Sequence, residues 1–107
     1  MVLKDKRIVV TGGGTGIGRG VALAFASEGG RVAICGRREE PLEETAALCT
    51  GEPAILSKTC DVADRESTGE FFSWALETLG GIDVIVINAG INIRERSMAE
   101  TTPEDWD

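Results

Sequence analysis

The sequence contains no histidine and no tyrosine among its 107 residues. Without histidine, a Ser-His-Asp relay and imidazole metal ligation are excluded within the chain. Without tyrosine, it has no phenolic acid/base. Its three cysteines, Cys35, Cys49 and Cys60, are odd in number and lack C-x-x-C spacing. Two of them sit in apolar, strand-like runs where a thiol behaves as a small hydrophobe, so buried free thiols are expected. Basic residues are also scarce: 11 against 18 acidic ones, a formal charge of -7. Such a surface repels nucleic acid and anionic lipid, which excludes a general polyanion binder. No apolar run approaches the roughly 18 residues of a membrane span. The apolar part of residues 1–11 is too short for a signal peptide. A soluble, cytoplasmic protein is expected, with no nucleic-acid or membrane partner and no metal site.

Only three prolines and no long polar tract interrupt a sequence that is 42% hydrophobic, as in a globular protein. A chain of this length buries roughly 60–70% of its unfolded surface, enough for one compact core. One domain, spanning residues 1–107, or part of one, is expected.

The apolar residues fall into an alternating order. Arg7-Ile8-Val9-Val10-Thr11 is a β-branched run ending at glycines, the pattern of a buried parallel strand. From Gly16 to Glu28, Ile17, Val21, Ala24 and Phe25 recur at helical spacing, and Gly29-Gly30 supplies the stop. Arg31 to Cys35 repeats the strand pattern, and Glu39 to Cys49 reads as a helix with Leu42, Ala46 and Cys49 along one face. Ala54 to Cys60 is a third strand. Asp64 is placed to cap a helix whose apolar face is Phe72, Ala75, Leu76 and Leu79, ended by Gly80-Gly81. Ile82 to Ile87 is a fourth strand leading into Asn88-Ala89-Gly90. This β-α-β-α-β-α-β order implies an α/β fold, a doubly wound Rossmann-type parallel sheet, with ligand beyond the carboxyl ends of the strands.

Strand 1 runs into Thr11-Gly12-Gly13-Gly14-Thr15-Gly16-Ile17-Gly18. Gly12 permits a tight turn, Gly16 lets backbone approach a pyrophosphate, and Gly18 lets the helix pack closely on the sheet. The spacing is neither G-x-G-x-x-G/A nor a P-loop, since no Gly-Lys-Ser/Thr follows. It resembles the T-G-x-x-x-G-x-G turn of the short-chain dehydrogenase/reductase family. Asp61-Val62, after strand 3, resembles the family's adenine-contacting pair. Asn88-Ala89-Gly90 resembles its N-N-A-G motif, with Ile87 in place of the first asparagine. The resemblance implies cofactor binding by Gly12, Thr15, Gly16, Ile17, Gly18, Arg37, Arg38, Asp61, Val62, Asn88, Ala89 and Gly90. Its nearest flavour is that of 3-oxoacyl-thioester reductase-like members.

Where NAD-preferring dinucleotide folds place an acid after strand 2, this sequence has Gly36, followed by Arg37 and Arg38. Guanidinium forks suit a 2′-phosphate, so NADP(H) is expected over NAD(H). Thr15 stands where part of the family carries a further basic residue. A methyltransferase on a similar sheet would want an acid near the end of strand 2, which Gly36-Arg37-Arg38 does not supply.

The resemblance also implies hydride transfer between nicotinamide and a carbonyl or alcohol substrate, by a Ser-Tyr-Lys set placed beyond strand 4. With no tyrosine present, no catalytic residue is assigned in these 107 residues. Ser97, in Arg94-Glu95-Arg96-Ser97, reads as a loop serine. Thr102-Pro103-Glu104-Asp105 has the signals of a helix start, yet Asp107 follows at once. The expectation is therefore a sheet truncated after strand 4 and the beginning of the next helix, with strand 4 exposed at one edge. The complete protein would be a homo-oligomer. The alternative is a non-catalytic NADP(H)-binding or interaction module.

Overall fold

The computed structural model describes residues 4–14 and 16–88. Seven elements alternate along them: β1 (Arg7–Thr11), α1 (Gly16–Ser27), β2 (Arg31–Gly36), α2 (Glu39–Leu48), β3 (Leu56–Thr59), α3 (Arg65–Leu79) and β4 (Val84–Val86). All strand pairs are parallel, in the order β3-β2-β1-β4. The register sets Val9 beside Ala33 on one side and Ile85 on the other.

Successive strand residues face opposite sides of a sheet, and here each side has its own helices. Ile8, Val10, Val32 and Ile34 pack with Ala22 and Ala26 of α1 and Leu42 of α2. Val9, Ala33 and Cys35 pack with Phe71, Ala75 and Leu79 of α3. Buried on both faces, β1 and β2 can be almost uniformly apolar, as their sequences are. The fold is α/β, a doubly wound parallel sheet.

The elements end where local chemistry stops them. Asp64 caps α3, its carboxylate accepting the N–H groups of Glu66 and Ser67 at 2.9 and 3.3 Å. Gly80 closes the same helix in the left-handed conformation, with φ 80°. Gly29, at φ 90°, does the same after α1.

Helix faces differ from the periodicity. Phe71 rather than Phe72 is the fully buried ring of α3, and Leu76 is 51% exposed. In α1 the buried residues are Gly18, Ala22 and Ala26, one position away from the expected Val21 and Phe25 stripe, which lies at the rim. Close helix-to-sheet contact selects the smallest side chains for the seam. Strand pairing spans only Leu56–Thr59 in β3 and Val84–Val86 in β4, shorter than the apolar runs that contain them. Among the described residues β4 is a sheet edge, and Ile85 and Ile87 are 48% and 62% exposed. No helix of the described residues is long and apolar enough to cross a membrane.

Candidate nucleotide-binding site

Parallel strands deliver their carboxyl ends to one side, and there the turns after β1, β2, β3 and β4 converge. The glycine turn is fastened to β2 by the Gly13 N–H, which donates to the Cys35 carbonyl at 3.0 Å. The turn after β3 is fastened to β2 in the same way, Cys60 N–H donating to Gly36 at 2.8 Å. Asn88, after β4, donates its backbone N–H to the Thr11 hydroxyl at 3.0 Å and its side-chain amide to the Gly12 carbonyl at 3.3 Å.

These contacts explain two glycines. Gly12 has φ 68°, in the left-handed region that penalises a side chain. A Cβ on Gly18 would strike the Gly12 carbonyl and come within 2.7 Å of the Asn88 amide nitrogen. Gly16 shares the left-handed backbone, with φ 56°, but a Cβ there would meet nothing within 4 Å.

A cavity of about 180 Å³ lies between the glycine turn and α2, lined by Gly12, Gly14, Gly36, Arg37, Arg38, Pro41 and Leu42. Arg37 and Arg38 are exposed at its mouth. Arg37 Nε lies 3.9 Å from Asp61 Oδ1. The same Oδ1 accepts the Ala63 N–H at 3.0 Å, so Asp61 also shapes its own turn. Arg38 starts α2 without a side-chain cap and takes part in none of the ion pairs formed among the described residues. Gly36, Asp61 and Val62 complete this side, with Val62 41% exposed. Ile17, 71% exposed, stands on the first turn of α1. Thr15, Ala89 and Gly90 lie outside the described residues, as do Arg94 to Ser97 and Thr102 to Asp107.

A larger groove of about 730 Å³ runs along α3, lined by Lys58, Trp74 and the carboxylates of Glu66, Glu70 and Glu77, among others. Three carboxylates against one ammonium disfavour a pyrophosphate, and the groove includes none of the glycine turn. The smaller cavity is the better nucleotide candidate.

Beneath the site, Cys35 is fully buried, and burial pushes its thiol up to about 12, with neighbouring Cys60 adding to the effect. Cys35, Cys49 and Cys60 are all free thiols, Cys49 only half-buried. Sequence reading missed Arg19 and Thr45, which brace the glycine turn. A threonine on the apolar face of α2 beside Leu42 was the available signal, because a buried hydroxyl needs partners.

A parallel sheet with a glycine turn at its carboxyl edge defines a doubly wound nucleotide-binding fold. The chain belongs to the short chain dehydrogenase family, which it matches over residues 6–107. Over 105 residues it is 31% identical to a short chain dehydrogenase/reductase of Gibberella zeae, covering 98% of this chain and 39% of that protein. The crystal structure of glucose dehydrogenase of Caenorhabditis elegans in the apo form superposes with TM-score 0.78 at 35% identity, over 89% of this chain and 42% of that one. A short-chain dehydrogenase/reductase of unknown function from the same organism, crystallised with cofactor, gives TM-score 0.72 at 33% identity, over 78% and 32%. The chain thus spans less than half the length of each of these relatives. The family's proteins are oxidoreductases that use nicotinamide cofactors.

Proposed function

We propose that residues 1–107 are the NADP(H)-binding part of a short-chain dehydrogenase/reductase that transfers hydride between nicotinamide and a carbonyl or alcohol substrate. The observation that carries the cofactor choice is Gly36 at the end of β2, followed by Arg37 and Arg38 on a cavity shared with Gly12 and Gly14. An acid at that strand end would hold ribose hydroxyls and repel a 2′-phosphate; two guanidinium groups do the reverse.

The residues fit such a ligand. N–H groups at the start of α1, around Thr15, Gly16, Ile17 and Gly18, would hold the pyrophosphate. Arg37, with Arg38 beside it, would hold the 2′-phosphate. Asp61 would accept from the adenine amino group with Val62 against the ring, and Asn88, Ala89 and Gly90 would wall the turn. The bound cofactor supplies the hydride chemistry.

The sequence has no tyrosine, so in this reading the Ser-Tyr-Lys chemistry, the substrate and the oligomeric assembly belong to the complete protein. The alternative reading is a non-catalytic NADP(H)-binding or interaction module. NADPH consumption by this chain in the presence of simple aldehydes and ketones would overturn both the placement of the chemistry outside these residues and the non-catalytic reading.

Calorimetric titration tests the cofactor choice. One charge-assisted hydrogen bond contributes about 1.5–3 kcal/mol, so NADPH should bind roughly ten- to a hundredfold more tightly than NADH. Equal affinities, or tighter NADH binding, would overturn it.

A further inference from the structure

Arg19, on the first turn of α1, reaches across the glycine turn to α2. Its Nε donates to the Thr45 hydroxyl at 2.8 Å. One terminal nitrogen donates to the Gly14 carbonyl at 2.7 Å and to the Pro41 carbonyl at 3.1 Å. The same nitrogen lies 3.1 Å from Glu44 Oε1, forming an ion pair. Thr45 is fully buried, and its hydroxyl lies 2.9 Å from the Gly13 carbonyl, 3.1 Å from Pro41 and 3.3 Å from Gly14. With one proton, it accepts from Arg19 and donates to Gly13, the nearest of these oxygens.

Two consequences follow for the cavity. Gly14 and Pro41 both line it, and Arg19 bonds to both carbonyls. They are packed so closely that a Cβ on Gly14 would lie 2.9 Å from Pro41 Cβ. Because the peptide is planar and trans, holding the Gly13 carbonyl on Thr45 turns the Gly14 N–H to the opposite side. Arg19 and Thr45 therefore set both the orientation of the glycine turn and its distance from the start of α2, where Arg37 and Arg38 stand.

We propose that Arg19 and Thr45 form a positioning pair that makes the phosphate turn and the Arg37–Arg38 turn a single rigid unit, so that one nucleotide can engage both at once. This rests on the nucleotide-site reading above. A dinucleotide phosphate spans two anion sites, and the gain from its second contact depends on the sites being held at the matching separation. Loosening the clamp costs most for NADPH, which uses both anion sites, and less for NADH, which of the two uses only the pyrophosphate turn.

The Kd ratio of NADH to NADPH separates this role from simple stabilisation. If a substitution only lowers the folded fraction, both apparent affinities fall by the same factor and the ratio is unchanged. Thr45→Val keeps the shape and removes the hydroxyl; Arg19→Lys keeps the charge and removes the fork; Thr45→Ser retains the hydroxyl. Titration of the 107-residue chain with each nucleotide should show the ratio falling about tenfold in Thr45→Val and Arg19→Lys, and returning in Thr45→Ser. Equal discrimination by wild type, Thr45→Val and Arg19→Lys would overturn the clamp while leaving the nucleotide site standing. A wild-type chain that binds neither nucleotide would overturn the site itself, and the clamp with it.

Discussion

The backbone N–H of Asn88 donates to the side-chain hydroxyl of Thr11 at 3.0 Å, tying the end of β4 to the end of β1 across 77 positions of sequence. The Thr11 hydroxyl is itself 3.5 Å from the Val86 carbonyl, and the Asn88 amide reaches the Gly12 carbonyl. One threonine and one asparagine thus hold the glycine turn onto the sheet. Replacing Thr11 by Val removes the bond while keeping the shape, and should lower stability by about 1 kcal/mol. Urea unfolding followed by circular dichroism checks this; an unchanged midpoint would show that the tie contributes nothing.

Gly18 faces a harder constraint. Any Cβ there overlaps the Gly12 carbonyl, a backbone atom that cannot swing aside. Gly18→Ala should cost about 3 kcal/mol through overpacking and abolish nucleotide binding in whatever remains folded. By contrast Gly20→Ala, where a Cβ meets nothing within 4 Å, should be neutral or slightly stabilising, because alanine favours helix. The difference between the two melting temperatures is the measurement.

Cofactor choice should follow the turn after β2. Arg37→Ala should weaken NADPH binding roughly ten- to a hundredfold and leave NADH binding nearly unchanged. Gly36→Asp should invert the preference toward NADH, although a Cβ at that position already lies 3.3 Å from Leu42 Cδ2 and Leu42 must give slightly. Titration of both variants with both nucleotides distinguishes a specific phosphate contact from a general loss of the site.

Arg7 and Asp83 carry the acid-side behaviour. Arg7 donates to the Asp83 carboxylate through Nε at 2.9 Å, a terminal nitrogen at 3.0 Å and its own backbone N–H at 2.8 Å. The side-chain bond from Arg7, followed by its backbone N–H, holds the Asp83 carboxyl well below its ordinary value of 3.8. A depressed folded value means the stabilisation is present above about pH 4 and is lost as pH falls toward that lower value. Asp83→Asn should therefore show a lower melting temperature at neutral pH and a shallower decline on acidification. Parallel curves for wild type and variant from pH 7 to pH 2 would count against the pair.

The buried thiols give a chemical test of the core. A Cys35 thiol pushed up to about 12, within a fully buried strand, should resist alkylation by iodoacetamide at pH 8, as should the buried Cys60. Half-buried Cys49 should be modified first. Mass spectrometry of the native chain would read a single adduct, rising to three in denaturant.

Much of this molecule follows from local rules. The alternation of strands and helices, the Asp64 cap, the Gly29 and Gly80 stops and the need for glycine at positions 12 and 18 were legible in the sequence. Each depends on backbone conformation or on side chains a few residues apart. The seams were not: Phe71 rather than Phe72 fills the core, and Ala22 and Ala26 rather than Val21 and Phe25 meet the sheet most closely. Which of two adjacent apolar residues turns inward depends on how near the opposing surface comes, and helical periodicity carries no such distance. Nor could spacing reveal that Arg19 meets Thr45, 26 positions away, or that Arg37 and Asp61 stand 3.9 Å apart. Arg37 and Asp61 meet because parallel strands bring their carboxyl-end turns to one edge of the sheet, and Arg19 meets Thr45 because the crossovers set α1 beside α2 on one face. Residues far apart in the chain become neighbours there only after the crossovers have closed.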